Sequence, residues 1–474
     1  MPSRIPPLRE ADLPSREVSL WKLIGPGAIL VGLSIGSAEI IMWPWVTAQF
    51  GASMLWAAAL GVFLQIFVNL EIGRWAIATG DTTYTAYARL SMAVIHAMLG
   101  IGFIMTCLPG WARISGVALK ALLLGPDHAS ADWLWTTVTF VGVLLVLFGP
   151  KVMYAALERT VVAMVVFIIA GLLVVVYEVG NTEYLTEIGR GLVNVGHIET
   201  SDNFSFYRFF AAMVFAGSGG SGNLWYAFYL RDKNVGMGAR IPRLTNRFRS
   251  REETDTPVGY IYPETPENQR RFRDWFRYLA IDQVVIFFGL NMFTILLFAY
   301  AAMSVLYAQG IVPAEGRILW DEAVILQQSM GTAGRYLFLV IGMAALFSTQ
   351  LAVVDGTARA WAYILTTCFK APRRFTQNEW YPPIAVAACV IGIAGTILLE
   401  TTGVSGLMFV FLTAMLGGFI MAIYVPLTLY ANLKFLPRSA RPGWFPIAMS
   451  TLASLVYIGF SLFTIYTLVR PLLE

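Results

Sequence analysis

Residues 217–223 read Gly217-Ser218-Gly219-Gly220-Ser221-Gly222-Asn223, inside an apolar stretch that runs from about 206 to 230. Four glycines in six residues forfeit roughly 1 kcal/mol each of helix propensity relative to alanine. An earlier stretch has a related pattern. Gly25-Pro26-Gly27 is followed by eight apolar or small residues and then by Gly36-Ser37-Ala38-Glu39. Both segments are too apolar to be surface loops, and both are predicted to be helices that unwind midway. Unwinding frees backbone carbonyls for a cation, and the half-helix that follows presents its N–H groups. Glu39 adds a carboxylate at mid-span, which costs about 2.5–3.5 kcal/mol on insertion scales and marks a ligand or proton site, with a structural glutamate hydrogen-bonded to another helix as the plainer alternative.

Composition fixes the surroundings of these breaks. The chain has 474 residues, 57% hydrophobic and 13% charged, about half the roughly 25% charge usual in soluble proteins. Mean hydropathy is +0.65. A soluble fold could not cover itself with so few polar groups, so the chain is expected to be an integral, multi-pass membrane protein. The apolar runs are far longer than the ten-residue strands of a barrel, which leaves helices of about 20 residues. They fall near 22–48, 53–78, 92–119, 132–149, 158–178, 206–230, 279–307, 334–356, 382–400, 404–431 and 443–469. The three cysteines, Cys107, Cys368 and Cys389, lie in or beside these runs and are expected to be buried thiols. No cysteine–histidine cluster exists to hold zinc.

The two breaks fall five spans apart, in spans 1 and 6. Breaks at corresponding positions point to a transporter site between inverted repeats. Residues 22–178 (spans 1–5) and 206–431 (spans 6–10) are predicted to be the repeats, with 443–469 appended as span 11 and 1–21 as a tail. Most of the 33 Lys and Arg fall in that tail and in the loops after even-numbered spans. The opposite side holds Lys120, Arg190, Arg317, Arg335 and Arg470. The N-terminus is therefore expected in the cytoplasm and the C-terminus outside. The loop 231–278 carries eleven basic and seven acidic residues. Its plainest role is a solvated cytoplasmic loop that anchors topology; contact with anionic lipid headgroups is the sharper alternative. Interspersed acids and the lack of a binding module argue against nucleic acid.

Several motifs, in this order on eleven spans, resemble the Nramp divalent-metal transporters, which have the LeuT-type fold. Gly25-Pro26-Gly27 looks like the family's opening of helix 1, and Ala78-Thr79-Gly80 like the end of its helix 2. Asn223-Leu224, Asn291, Ser348-Thr349 and Pro426-Leu427 are similar to residues of its helices 6, 7, 8 and 10. The resemblance implies an all-α, LeuT-type membrane protein of two inverted five-helix repeats plus an eleventh helix. Its site residues depart from the family. Where the family has Asp-Pro-Gly-Asn on helix 1, this chain has Gly36-Ser37-Ala38-Glu39, with the carboxylate one turn along and so on roughly the same face. Gly220-Ser221-Gly222 replaces Met-Pro-His on helix 6, and Thr413 a glutamine on helix 10. Arg113 stands where helix 3 carries a proton-linked glutamate. Arginine keeps its proton, so the usual proton coupling is not expected; an ion pair with Glu71 or Asp282 is the structural alternative. These departures resemble the magnesium-related branch more than the proton-coupled manganese and iron branch.

Three functions remain open. The first is transport of a hard divalent cation such as Mg²⁺ or Mn²⁺, as substrate rather than cofactor, by an all-oxygen set: Gly36, Ser37, Glu39, Gly217, Ser218, Asn223 and Thr413. Arg113, Gly220, Gly222 and Asn291 would then gate or couple. The second is transport of a small organic or amino-acid-like solute, its anionic group held by the glycine-rich backbone. The third is a receptor that kept the fold and lost transport. No nucleophile–base constellation or cofactor motif supports an enzyme, and His96, His128 and His197 are scattered. Oligomeric state is not encoded in any feature of the sequence.

Overall fold

The structure is a computed structural model; it describes residues 5–16, 25–149, 153–242, 244, 259–369 and 375–473. Among the described residues, nine helices are long and apolar enough to cross a membrane, and two shorter apolar helices join them, Asp132–Phe148 and Phe206–Phe215. Together they account for all eleven expected segments. Among the described residues, the secondary structure is helical apart from one parallel two-residue pairing between β1 (Arg9–Glu10) and β2 (Tyr260–Ile261).

Burial sorts the spans. Span 1 (Pro26–Phe50) is enclosed throughout, while spans 3 (Met92–Leu124), 5 (Tyr154–Val179) and 11 (Trp444–Arg470) are largely peripheral. Span 1 packs on spans 5, 7 and 8; the first half of span 6 lies on span 10 and its second half on span 2. Outward-facing Leu145, Val166, Leu398, Leu455 and Leu462 form an apolar exterior suited to hydrocarbon. Cys368 and Cys389 are buried, and Cys107 is half-buried.

The structure departs from the sequence-based expectation in span 1. The helix does not unwind at Gly36-Ser37. It continues from Pro26–Ser34 through a π-helical stretch, Ile35–Met42, into Trp43–Phe50. Pro44, which lacks an N–H and crowds the carbonyl four residues earlier, sits just beyond. Widening to i→i+5 bonding, as in Trp43 N–H to Ala38 O, absorbs that fault without breaking the helix. Span 6 does break, between Phe206–Phe215 and Gly222–Asp232. Span 3 breaks too, between Met92–Thr106 and Gly110–Leu124, at the start of which Pro109 interrupts the run.

The described part of the loop 231–278 carries a helix of its own. Residues 243 and 245–258, with Arg247, Arg249 and Arg251, lie outside the described residues. The remainder includes the helix Pro266–Ile281, which runs on through a π stretch, Asp282–Phe288, into Gly289–Val305 as span 7. Thr265 caps it, its hydroxyl accepting from Asn268 N–H at 3.2 Å. The tail packs across this helix. Leu13 N–H donates to Asn268 Oδ1 at 3.0 Å, and Trp275 Nε1 donates to Pro14 O at 2.8 Å.

Candidate functional site

The break in span 6 is fixed by its own residues together with Gly417 and Tyr424 of span 10. Gly220 adopts φ +62, a left-handed conformation that glycine enters without a Cβ penalty. The Tyr424 hydroxyl of span 10 donates to Gly220 O at 2.9 Å, and Asn223 Nδ2 donates to that hydroxyl at 3.3 Å. Ser218 Oγ donates to Asn223 Oδ1. Opposite the turn lies Gly417, so close that a Cβ built on Gly220 stands 2.8 Å from Gly417 Cα. Gly222 opens the second half-helix with its own Cα facing Leu33 of span 1. The half-helix start carries the positive end of its dipole.

Beside the break is a cavity of about 810 Å³ counted to its mouth. Its walls come from Leu33, from Met98, Met105 and Trp111 of span 3, from Trp225, and from Thr349, Thr357 and Trp361 of span 8; Gly217, Ser218, Ser221 and Gly222 form its polar edge. Among the described residues lining it, none is a carboxylate or a histidine. Its polar groups are hydroxyls and backbone, its bulk is aromatic and thioether.

Glu39 lies elsewhere. It is fully buried and turned toward span 7, where it accepts from Thr294 Oγ1 and, at 3.3 Å, from Ser34 Oγ. Ser34 Oγ also meets Asn291 Oδ1. Four oxygen-bearing side chains, Ser34, Glu39, Asn291 and Thr294, therefore converge between spans 1 and 7. The adjoining face of span 1 is pressed on span 8: a Cβ on Gly36 would collide with Ala345 O and Thr349 Oγ1. Thr349 Oγ1 donates to Leu33 O at 2.8 Å and Ser348 Oγ to Gly32 O at 2.8 Å. The Ser37 side chain lies outside the described residues.

The candidate residues thus divide. Gly217, Ser218, Gly220, Gly222 and Asn223 come together at the break. Glu39 and Asn291 form a separate cluster. Thr413 donates to Leu108 O at 3.1 Å and braces the break of span 3. Arg113 pairs with neither Glu71 nor Asp282. Its guanidinium donates to Val404 O, stands 3.9 Å from Asp132 and lies over the Phe409 ring. Glu71 is taken by Arg74 at 3.0 Å and Asn432 at 2.7 Å. Asp282 accepts from Tyr226 at 2.6 Å and from Gly27 N–H at 3.3 Å, at the start of span 1. Among the described residues, no group of three or more His, Cys, Asp or Glu is placed to hold a metal.

Sequence reasoning missed Tyr424, Thr294, Trp111, Trp225 and Trp361. Tyr424 stands two residues before the Pro426-Leu427 motif, and Thr294 one turn after Asn291. The tryptophans carry no motif; only the fold gathers them.

No family model and no curated protein matches this chain. Solved structures do. A mutant of the Eremococcus coleocola manganese transporter aligns with 98% of this chain and 91% of its own, at a TM-score of 0.64 and 13% identity. MhsT in complex with L-phenylalanine aligns over 95% and 98%, at 0.52 and 14%. A nucleobase-cation-symport-1 family transporter with bromovinylhydantoin bound aligns over 98% and 96%, at 0.51 and 15%. At such identities the likeness defines architecture: this is a multi-pass, all-α membrane protein with the LeuT-type fold.

Proposed function

We propose that the chain is a secondary-type transporter whose cargo is a small organic solute with an aromatic or apolar body and a polar or anionic end. The carrying observation is the cavity at the span 6 break, walled by Trp111, Trp225 and Trp361 and edged by hydroxyls and glycine backbone, with no carboxylate among the described residues of its lining. Aromatic faces supply large contact area. The start of the Gly222–Asp232 helix favours a negative group on the solute. A bare divalent cation needs carboxylate charge to replace its water, and Glu39 is turned away. The Arg and Lys asymmetry supports a cytoplasmic N-terminus.

A second reading rests on a different observation. Ser34, Glu39, Asn291 and Thr294 form an all-oxygen cluster, the donor chemistry of Mg²⁺ or Mn²⁺. Calorimetry of the purified protein with aromatic amino acids, nucleobases and divalent cations separates the two. The first reading expects heat with an organic solute, weakened at least tenfold by Trp111→Ala or Trp361→Ala and changed less than twofold by Glu39→Gln. Heat only with Mg²⁺ or Mn²⁺, lost in Glu39→Gln, refutes the first reading and supports the second.

A further inference from the structure

The helix Pro266–Ile281 has two faces with different tasks. Asn268, Phe272, Trp275, Tyr278 and Leu279 are buried against the body. Arg270, Arg273 and Arg277 are exposed on the opposite side, three and four residues apart, on one stripe of the helix. The same helix continues into span 7, where Val284 and Val285 are 49% and 55% exposed and face outward in an apolar stretch. From Arg277 to Val284 is about 10 Å along the axis at 1.5 Å per residue. The headgroup layer is roughly 5–7 Å thick on each side of the hydrocarbon. With Val284 at the hydrocarbon edge, Arg277 stands just beyond that layer, and Arg273 and Arg270 follow one and two turns farther toward water, where attraction to a charged surface decays over about 8–10 Å.

A neighbouring loop extends the patch. Arg74 stacks over Phe276 at 4.3 Å and donates to Ala440 O at 3.0 Å, tying the loop before span 11 to this helix. Ser439 N–H donates to Glu264 Oε1 at 2.9 Å in the same junction. That loop exposes Arg438 and Arg441. It leads into Trp444, 80% exposed at the start of span 11, the kind of residue that settles at a membrane–water boundary. The acids nearby are three: Glu267 is taken by Arg271, Glu264 accepts from Ser439 N–H, and Asp274 is exposed one turn from Arg270, which leaves the stripe of three arginines with a net positive charge. The tail, strapped on through Leu13 and Pro14, holds the helix in place.

We propose that Arg270, Arg273 and Arg277, with Arg438 and Arg441 beside them, form a docking surface for anionic phospholipid headgroups in the leaflet on this side of the protein. Charge complementarity and continuity with the lipid-facing stripe of span 7 select this occupant. The surface is independent of the cargo. Each arginine near a charged membrane surface contributes about a fivefold change in partition. The full-length protein in neutral detergent is titrated with phosphatidylglycerol or phosphatidylcholine, and bound lipid is counted by native mass spectrometry. Phosphatidylglycerol should bind at least tenfold more tightly than phosphatidylcholine. The triple variant Arg270→Gln, Arg273→Gln, Arg277→Gln should lose most of that preference, and the corresponding triple lysine variant should keep it. A control with Arg190→Gln and Arg317→Gln should behave as wild type. No preference in the wild type, or an undiminished preference in the glutamine variant, overturns the proposal. So does protection from thermal unfolding by inorganic phosphate that equals protection by phosphatidylglycerol, since the site would then recognise free anion. If the glutamine variant does not fold, loss of the wild-type preference as salt is raised to 1 M is the expected result, and a salt-independent preference is the overturning one.

Discussion

Alanine at Gly220 is the most direct test of how the span 6 break is built. Two costs add. An L-residue held at φ +62 costs about 1–2 kcal/mol relative to glycine. The new methyl also meets Gly417 Cα at 2.8 Å. The opposing atom is backbone of span 10, so relief requires the two segments to separate, and overpacking of this kind costs about 1–3 kcal/mol. The expected loss is therefore about 2–5 kcal/mol. Gly417→Ala probes the same contact from the other side without the φ cost: its methyl would lie 3.1 Å from Gly220 Cα and 3.4 Å from the Phe215 ring. Its loss should be smaller, about 1 kcal/mol. Gly100→Ala is the control, since nothing stands within 4 Å of its added methyl and a helical alanine gains roughly 0.5–1 kcal/mol. Reversible unfolding of the purified variants in bicelles, followed by steric trapping, gives the three differences. The reasoning fails if Gly220→Ala is as stable as wild type, or if Gly417→Ala is the more damaging of the pair.

Other outcomes follow from the same geometry. Tyr424→Phe removes the donor to Gly220 O and the acceptor for Asn223; it should cost about 1–3 kcal/mol and weaken cargo binding, both readable on the same samples. Arg359 is buried between Asp355, at 2.6 Å, and Asp232, so Arg359→Ala leaves buried Asp355 without its cation and Asp232 with only Arg231 at 3.7 Å, and should destabilise by about 3–5 kcal/mol, seen as a lowered unfolding midpoint. Transport should carry no proton flux along span 3, because residues 92–119 contain no Asp or Glu and Arg113 stays charged. Liposomes loaded with a pH-sensitive dye should show uptake without a dye response above protein-free controls; stoichiometric acidification abolished by a span 3 substitution would refute this.

The spans were legible because the bilayer sets their length, whatever their packing partners. The span 6 break was legible for a local reason: four glycines remove helix propensity where no neighbour has to be known. Span 1 has the same small residues and a different outcome. Gly36 is small because Ala345 O and Thr349 Oγ1 press on it, a tertiary cause that mimics a propensity defect in the sequence. The direction of Glu39 was hidden for a related reason. On an α-helix, residues three apart share a face, which places Glu39 with Gly36. In Ile35–Met42 the i→i+5 closure puts more residues in each turn, so Glu39 lags behind Gly36. Gly36 meets span 8 and Glu39 meets span 7. That rotation decides the chemistry of the cavity. With the carboxylate carried out of reach, the polar partners left at the break are hydroxyls, backbone N–H and carbonyls, which are neutral. On the proposed reading, such a neutral site offers a divalent cation dipoles but no compensating charge, and would select by shape and by the few hydrogen bonds it can complete. The three tryptophans, which no motif announced, are then the residues on which the proposed cargo's specificity would rest.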